Sequence, residues 1–298
     1  MKKFHLIGFL CVFAIFIQKN SCAQKKADDS LLLSKTSYWL AAVTYLSDNV
    51  YMGRRDSVKI PYITPSLGYY DKSGLYVNGS VSYLPTPGSN RIDLVTLEGG
   101  YSFILNNLDA QISASKYFFS PQSTNVRSEI KESVSAEAAY DLQIVKPTVQ
   151  TMVNFGLRTD FALGVGLEHS FYAFDEDLEI TPGFVVNSST QNYYDAYYNL
   201  RRYNGKRKRK TTGVSYYDIS ADVSNASKFQ LLDYELALPI NYTFHKFTIN
   251  FTPTLAVPVN PAHIIYTITP STGSPYKRKF NEKLSNDLYF QTGISFLF

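Results

Sequence analysis

The chain has 298 residues, a formal net charge of +4, 18% charged residues and 15% aromatics, with 24 Tyr and 20 Phe. Its 16 Gly and 2 Cys exclude a collagen-like chain and a disulfide-stapled mini-protein, and this much Tyr and Phe excludes a long disordered chain.

Residues 1–23 read as a cleaved secretory signal. Lys2 and Lys3 form the basic start, Leu6 to Ile17 the apolar core, and Ser21-Cys22-Ala23 the small residues before a cut ahead of Gln24. A lipidated Cys22 is the minority reading, because Lys19, Asn20 and Ser21 suit it poorly. Cys11 and Cys22 both leave with the signal, so thiol chemistry leaves with them. Lys2, Lys3 and Lys19 leave too and no acid does, which lowers the net charge from +4 to +1. Nucleic-acid binding then loses its electrostatic motive. Residues 24–35 are expected to form a short periplasmic segment.

After residue 23 no run approaches the ~20 apolar residues of a spanning helix, and the dominant period is two. In Leu232 to Phe244 every even position is large and apolar or aromatic, and every odd one is small or polar. The runs are long for soluble strands and suit tilted membrane-crossing ones of ~9–11 residues. Strands are expected at 36–47, 58–70, 75–84, 91–104, 108–119, 132–143, 148–157, 160–173, 178–190, 229–243, 246–257 and 286–298. Short and long connections alternate, the longest at 191–228 and 258–285, with a pause in the rhythm only at 158–159. The expected fold is therefore all-β, a closed antiparallel transmembrane β-barrel over 36–298 with 12 strands, within a range of about 10–14. A bulge in 142–160 would lower that number, and two strands hidden in 191–228 would raise it. Tyr38, Tyr69, Tyr70, Tyr83, Tyr242 and Tyr289, near run ends, are expected in interfacial girdles. Pro61, Pro65, Pro182, Pro239 and Pro253 fit such strands badly, Pro253 worst, because a closed barrel has no edge to hide a missing N–H.

The ending Gln291-Thr292-Gly293-Ile294-Ser295-Phe296-Leu297-Phe298 is similar to the C-terminal signal of Gram-negative outer-membrane barrels. With the Tyr-rich strands and Asp48-Asn49-Val50-Tyr51-Met52-Gly53-Arg54-Arg55, the chain resembles the uncharacterised outer-membrane β-barrels common in Bacteroidetes. The resemblance implies an outer-membrane location and recognition of Phe296 and Phe298 by the barrel-assembly machinery. It carries over no catalytic residue.

The water-facing phase holds Glu98, Glu137, Asp141, Glu168, Glu179, Asp233, Glu235 and Asp287, with few basic residues, so an acidic lumen is expected. Arg201, Arg202, Lys206, Arg207, Lys208, Arg209 and Lys210 crowd the longest outer loop beside Tyr193, Tyr194, Tyr197, Tyr198 and Tyr203. They suit lipopolysaccharide phosphates or another anionic ligand, or simply a solvated loop docked on the acidic rim. Lys277, Arg278 and Lys279 repeat the theme. His169, His245 and His263 fall in separate places, which argues against a metal site or catalytic triad. Gly164-Val165-Gly166 lacks the third glycine of a nucleotide fingerprint. Phospholipase barrels need Ser, His and Asn together on the outer wall, whereas His169 and Ser170 here take opposite faces. The expectation is a non-enzymatic passive channel or narrow transport pore without a cofactor, its partners being outer-membrane lipid, lipopolysaccharide and the assembly machinery. The alternative is a plugged barrel whose outer loops bind.

Overall fold

The computed structural model describes residues 36–199, 217–270 and 274–298. The expected signal, the 24–35 segment and the basic run 201–210 lie outside the described residues.

Alternating side chains give strands β1 (Tyr38–Leu46), β2 (Tyr62–Tyr70), β3 (Leu75–Leu84), β4 (Arg91–Leu105), β5 (Leu108–Phe119), β6 (Glu132–Tyr140), β7 (Lys146–Phe155) and β8 (Thr159–Glu168). Then follow β9 (Phe171–Ala173), β10 (Leu178–Ile180), β11 (Gly183–Ser189), helix α1 (Asn192–Tyr197), β12 (Tyr217–Ser224), β13 (Gln230–Ala237), β14 (Ile240–Phe244), β15 (Phe247–Pro258), β16 (His263–Pro270), β17 (Tyr276–Asn281) and β18 (Asp287–Leu297). Neighbours pair antiparallel from β1 to β8, then through β11, β13 and β15 to β18, which returns to β1. The result is a closed 12-strand antiparallel barrel. The ring is sealed by Val43↔Ile294 pairing and by Trp39 and Phe298, whose backbones exchange hydrogen bonds of 2.8 and 3.0 Å.

Three of the twelve spans are interrupted. Residues 160–173 split into β8 and β9, 178–190 into β10 and β11, and 229–243 into β13 and β14. Two prolines explain the breaks. Pro182 and Pro239 have no N–H to donate, and their carbonyls accept from His169 N and Thr181 N instead, at 3.2 and 2.9 Å. Pro253 stays within β15 because the neighbouring wall is already bulged there: Ala237 pairs with Thr254, and Ile240 next pairs with Phe251.

Register fixes the two faces. Val43, Leu67, Val77, Leu97, Ile112 and Val134 point outward on β1 to β6, and Val149, Val165, Phe184, Leu236, Ile249 and Ile294 continue round the ring. All are exposed, and one comes from each span. An apolar belt this continuous suits lipid rather than water. Phe296 belongs to the belt, its ring 4.7 Å from Phe247 and 5.7 Å from Phe298. Of the expected girdle tyrosines, Tyr69, Tyr83 and Tyr242 face outward. Tyr38, Tyr70 and Tyr289 instead share the phase of the lumen. Tyrosine suits either face, so alternation alone could not place these rings.

One end of the barrel has tight turns at 71–74, 106–107, 141–145, 174–177 and 245–246; Asn106 and His245 hold φ of 55° there. Asp71, in the first of them, accepts from Ser73 N at 2.9 Å and Ser37 Oγ at 2.8 Å. Hydrogen bonds from Ser73, then Ser37, hold its carboxyl down to about 2. A depressed value stabilises the fold above the ordinary 3.8, and the contribution disappears as pH falls through about 2. Carboxyl-detected NMR should place the Asp71 midpoint near 2, and Ser73→Ala should raise it. A wild-type midpoint at 3.8 would refute this account of the turn.

Candidate functional site: a polar lumen under a folded cap

The lumen is built from the inward phase. At the tight-turn end, Tyr38, Tyr70 and Tyr76 stack across β1, β2 and β3, with ring centroids 5.1 and 5.4 Å apart and planes within 8° and 14°. Gly100 makes room, since a Cβ there would lie 2.6 Å from the Tyr76 ring. The Tyr76 hydroxyl donates to Glu98 Oε1 at 3.0 Å and accepts from Gln111 Nε2 at 2.8 Å, and Ser115 Oγ donates to Glu98 Oε2 at 2.9 Å. Glu98 is thereby fixed to the wall.

Further round, Lys146 lies 2.8 Å from Asp109 and 3.9 Å from Glu168. Lys146 and Asp109 are inward charges absent from the expected set: Lys146 because β7 begins two residues earlier than its sequence pattern suggests, whereas Asp109 lies within β5 as expected and was overlooked. Glu137 pairs in register with Gln150, and both are exposed although they face inward, so solvent reaches this level of the lumen. Glu179 accepts from Ser170 Oγ at 3.0 Å and Tyr172 at 3.2 Å, below the strand breaks. Asp141 does not join them. β6 ends at Tyr140, and Asp141 sits exposed in the following turn, where it accepts from Gln143 N at 2.6 Å. Its side chain makes an Asx turn instead of lining a pore.

At the other end the lumen meets the loops. Asp233 and Glu235 face inward from β13, and Asp287 from β18 accepts from Arg55 Nε at 2.6 Å. Asp93 accepts from Tyr62, from Ser123 Oγ at 2.7 Å and from Arg91 Nε at 2.7 Å, which ties the 120–131 loop to β2 and β4. Asp160 accepts from Thr190 Oγ1, Asn192 N and Tyr193 N at 2.6, 2.7 and 2.8 Å, and so holds the start of α1 on the rim.

These loops are folded. Tyr51, Val126, Ile130, Tyr193, Tyr194, Tyr197, Ala221, Val223 and Ile264 pack into a buried cluster formed wholly by loop segments. β12, β16 and β17 form a small sheet separate from the barrel wall, and β12 and β16 contribute Ala221, Val223 and Ile264 to the cluster. β12 is the one strand described within 191–228, and it pairs in this sheet rather than in the barrel wall. The first outer loop enters as a tight turn: Tyr51 and Arg54 exchange backbone hydrogen bonds of 2.9 Å, with Met52 at φ 49° and Gly53 at φ 66°. Arg54 is fully buried. Its Nη2 donates to the carbonyls of Val259 and Asn260 at 3.0 and 2.9 Å, and its Nε lies 3.1 Å from Glu282. Tyr194 donates to Glu282 at 2.6 Å. Burial, then the charge of Glu282, pushes the Tyr194 hydroxyl well above its usual range, so it keeps its proton. Arg127 lies over the rings of Tyr51 and Tyr117, at 4.8 and 5.1 Å. Tyr193, Tyr194, Tyr197 and Tyr198 are thus buried cap residues.

No protein-family model matches the chain, and no curated protein sequence is similar to it. Among solved structures, the chain is similar to the KdgM porin, with 9% identity, a TM-score of 0.42, and 86% of this chain and 98% of that one covered. The NanC porin gives 10% identity, a TM-score of 0.45, and 87% and 98% covered. LpxR from Salmonella typhimurium gives 10% identity, a TM-score of 0.38, and 86% and 99% covered. Likenesses this distant transfer no activity.

A cleft of about 300 Å³ lies between the first outer loop and the last, with Arg55, Tyr198, Lys283 and Asp287 among its lining. Lys277, Arg278 and Lys279 are exposed on β17 at the edge of the small sheet. Lysine-rich edges of this kind discourage strand addition by other chains.

Proposed function

We propose that the chain spans an outer membrane as a narrow, cation-favouring conduit that rests closed at its outer mouth. The apolar belt supports the membrane setting. Solvent-reached Glu137 beneath a packed loop cap carries the reading of a closed conduit. Glu98, Asp109, Glu137, Glu168 and Glu179 face the tight-turn half of the lumen, with Lys146 the cation among them. Such a lining concentrates cations. In this reading residues 1–23 direct export, and the assembly machinery engages β18 through Phe296 and Phe298.

Planar-bilayer recording tests it. The wild type should show rare, small conductance steps with a reversal potential displaced toward the cation. Glu137→Gln should move that potential toward zero while leaving the folded barrel intact. An unchanged potential would remove the acidic lumen from the account. A second reading rests on the cap itself, a folded surface with exposed Lys277, Arg278 and Lys279 that suits lipopolysaccharide phosphates or another anionic ligand. A correctly folded barrel that stays silent in the bilayer would favour it.

A further inference from the structure

We propose that Asp233 and Glu235 form a binding site for a divalent cation in the outer part of the lumen. Residues two apart on one strand share a face, so β13 presents both carboxylates inward. Asp233 is fully buried; Asn187 and Glu235 are its polar neighbours, but neither brings a well-aligned hydrogen bond to either of its oxygens. An ionised carboxylate left this way carries a large desolvation cost unless a counter-charge meets it.

The protein supplies too little counter-charge. Arg54 is the cation that acts on Asp233. Its Nε and Nη2 are already engaged by Glu282 and by the carbonyls of Val259 and Asn260, which leaves only Nη1 unpartnered. Arg55 is held by Asp287 at 2.6 Å. With every carboxyl ionised, as cation binding would require, Asp233, Glu235 and Glu282 against the single charge of Arg54 leave two negative charges, the complement of a divalent ion. The surroundings supply neutral oxygen: Asn187 pairs in register with Asp233, and Thr254 with Tyr289 flank the pair on the neighbouring strands. Carboxylates with amide and hydroxyl oxygens, and neither sulfur nor imidazole, select a hard cation of the calcium type.

The site also touches the cap. A Cβ on Gly53 would lie 2.9 Å from the Asp233 Cβ and 2.8 Å from the Pro258 Cβ, so the inserted turn rests directly on this part of the wall. Cation binding therefore favours the inserted turn and closes the mouth, a consequence that rests on the conduit reading; the site does not.

The experiment is calorimetric titration of calcium chloride into the chelator-treated, folded barrel in detergent. One saturable site is expected. Asp233→Asn and Glu235→Gln should each weaken it at least tenfold, while Asp175→Asn, in the opposite turn, should leave it unchanged. Heat-modifiable electrophoretic mobility confirms that each variant is folded, and both are near-isosteric changes that relieve like-charge repulsion. Absence of saturable uptake by the wild type, or wild-type affinity in either variant, overturns the site. Saturable binding with a conductance indifferent to calcium supports the site and overturns only its link to closure.

Discussion

Arg54→Ala is expected to open the outer mouth, raising the mean conductance of the reconstituted protein severalfold while the barrel stays folded. Arg54 is the one fully buried cation among the described residues, and it joins the first outer loop to both ends of the last. Truncation leaves Glu282 without its ion pair and two carbonyls without their donor. Breaking a buried pair in this way costs about 3–5 kcal/mol. That is enough to release a loop, but the barrel wall does not depend on it, since its strands pair with one another from Val43↔Ile294 round to Pro253↔Phe290. Conductance at the wild-type level, with unchanged proteolytic protection of residues 47–61, would show that the turn is not the closure.

Gly100→Val is expected to have the opposite character, abolishing the folded barrel rather than opening it. A Cβ at this position would stand 2.6 Å from the Ile112 carbonyl oxygen and 2.6 Å from the Tyr76 ring. The ring is buried and stacked on Tyr70, and the carbonyl belongs to the β4–β5 ladder, so neither yields without breaking pairs. An open sheet could splay at an edge, but a closed ring has none. The heat-modifiable folded band should be lost in Gly100→Val and much reduced even in Gly100→Ala. A normal band in both would mean that the wall relaxes more than packing allows.

The spans were legible because each had one face for lipid and one for water, and a period of two survives wherever that contrast exists. The breaks in three of them were visible only as awkward prolines; that Pro182, Pro239 and Pro253 lie side by side is a property of register, which one chain segment does not carry. Glu137 and Glu235 were readable as inward-facing from alternation. Lys146 was not, because Pro147 looked like the end of a turn whereas it pairs within β7. Asp141 was misplaced for the related reason that β6 stops short. The cap was the larger omission. Its signal was present: Tyr193 with Tyr197, and Tyr194 with Tyr198, recur at helical spacing inside a supposed loop. Tyr51, Val126, Ile130 and Ile264, against which they pack, come from loops more than fifty residues away, and no local pattern announces that.

The cap's composition has a consequence for reversibility. Its core is rich in tyrosine: Tyr51, Tyr193, Tyr194, Tyr197 and Tyr198 lie beside small residues such as Ala221, Ala226 and Ala262. A tyrosine ring packs like a phenylalanine but carries a hydroxyl that water accepts. Separated from one another, these side chains would be wetted rather than left as a greasy surface that seeks other proteins. A plug of leucines would resist opening and aggregate once opened. A plug of tyrosines can come apart in water and reassemble.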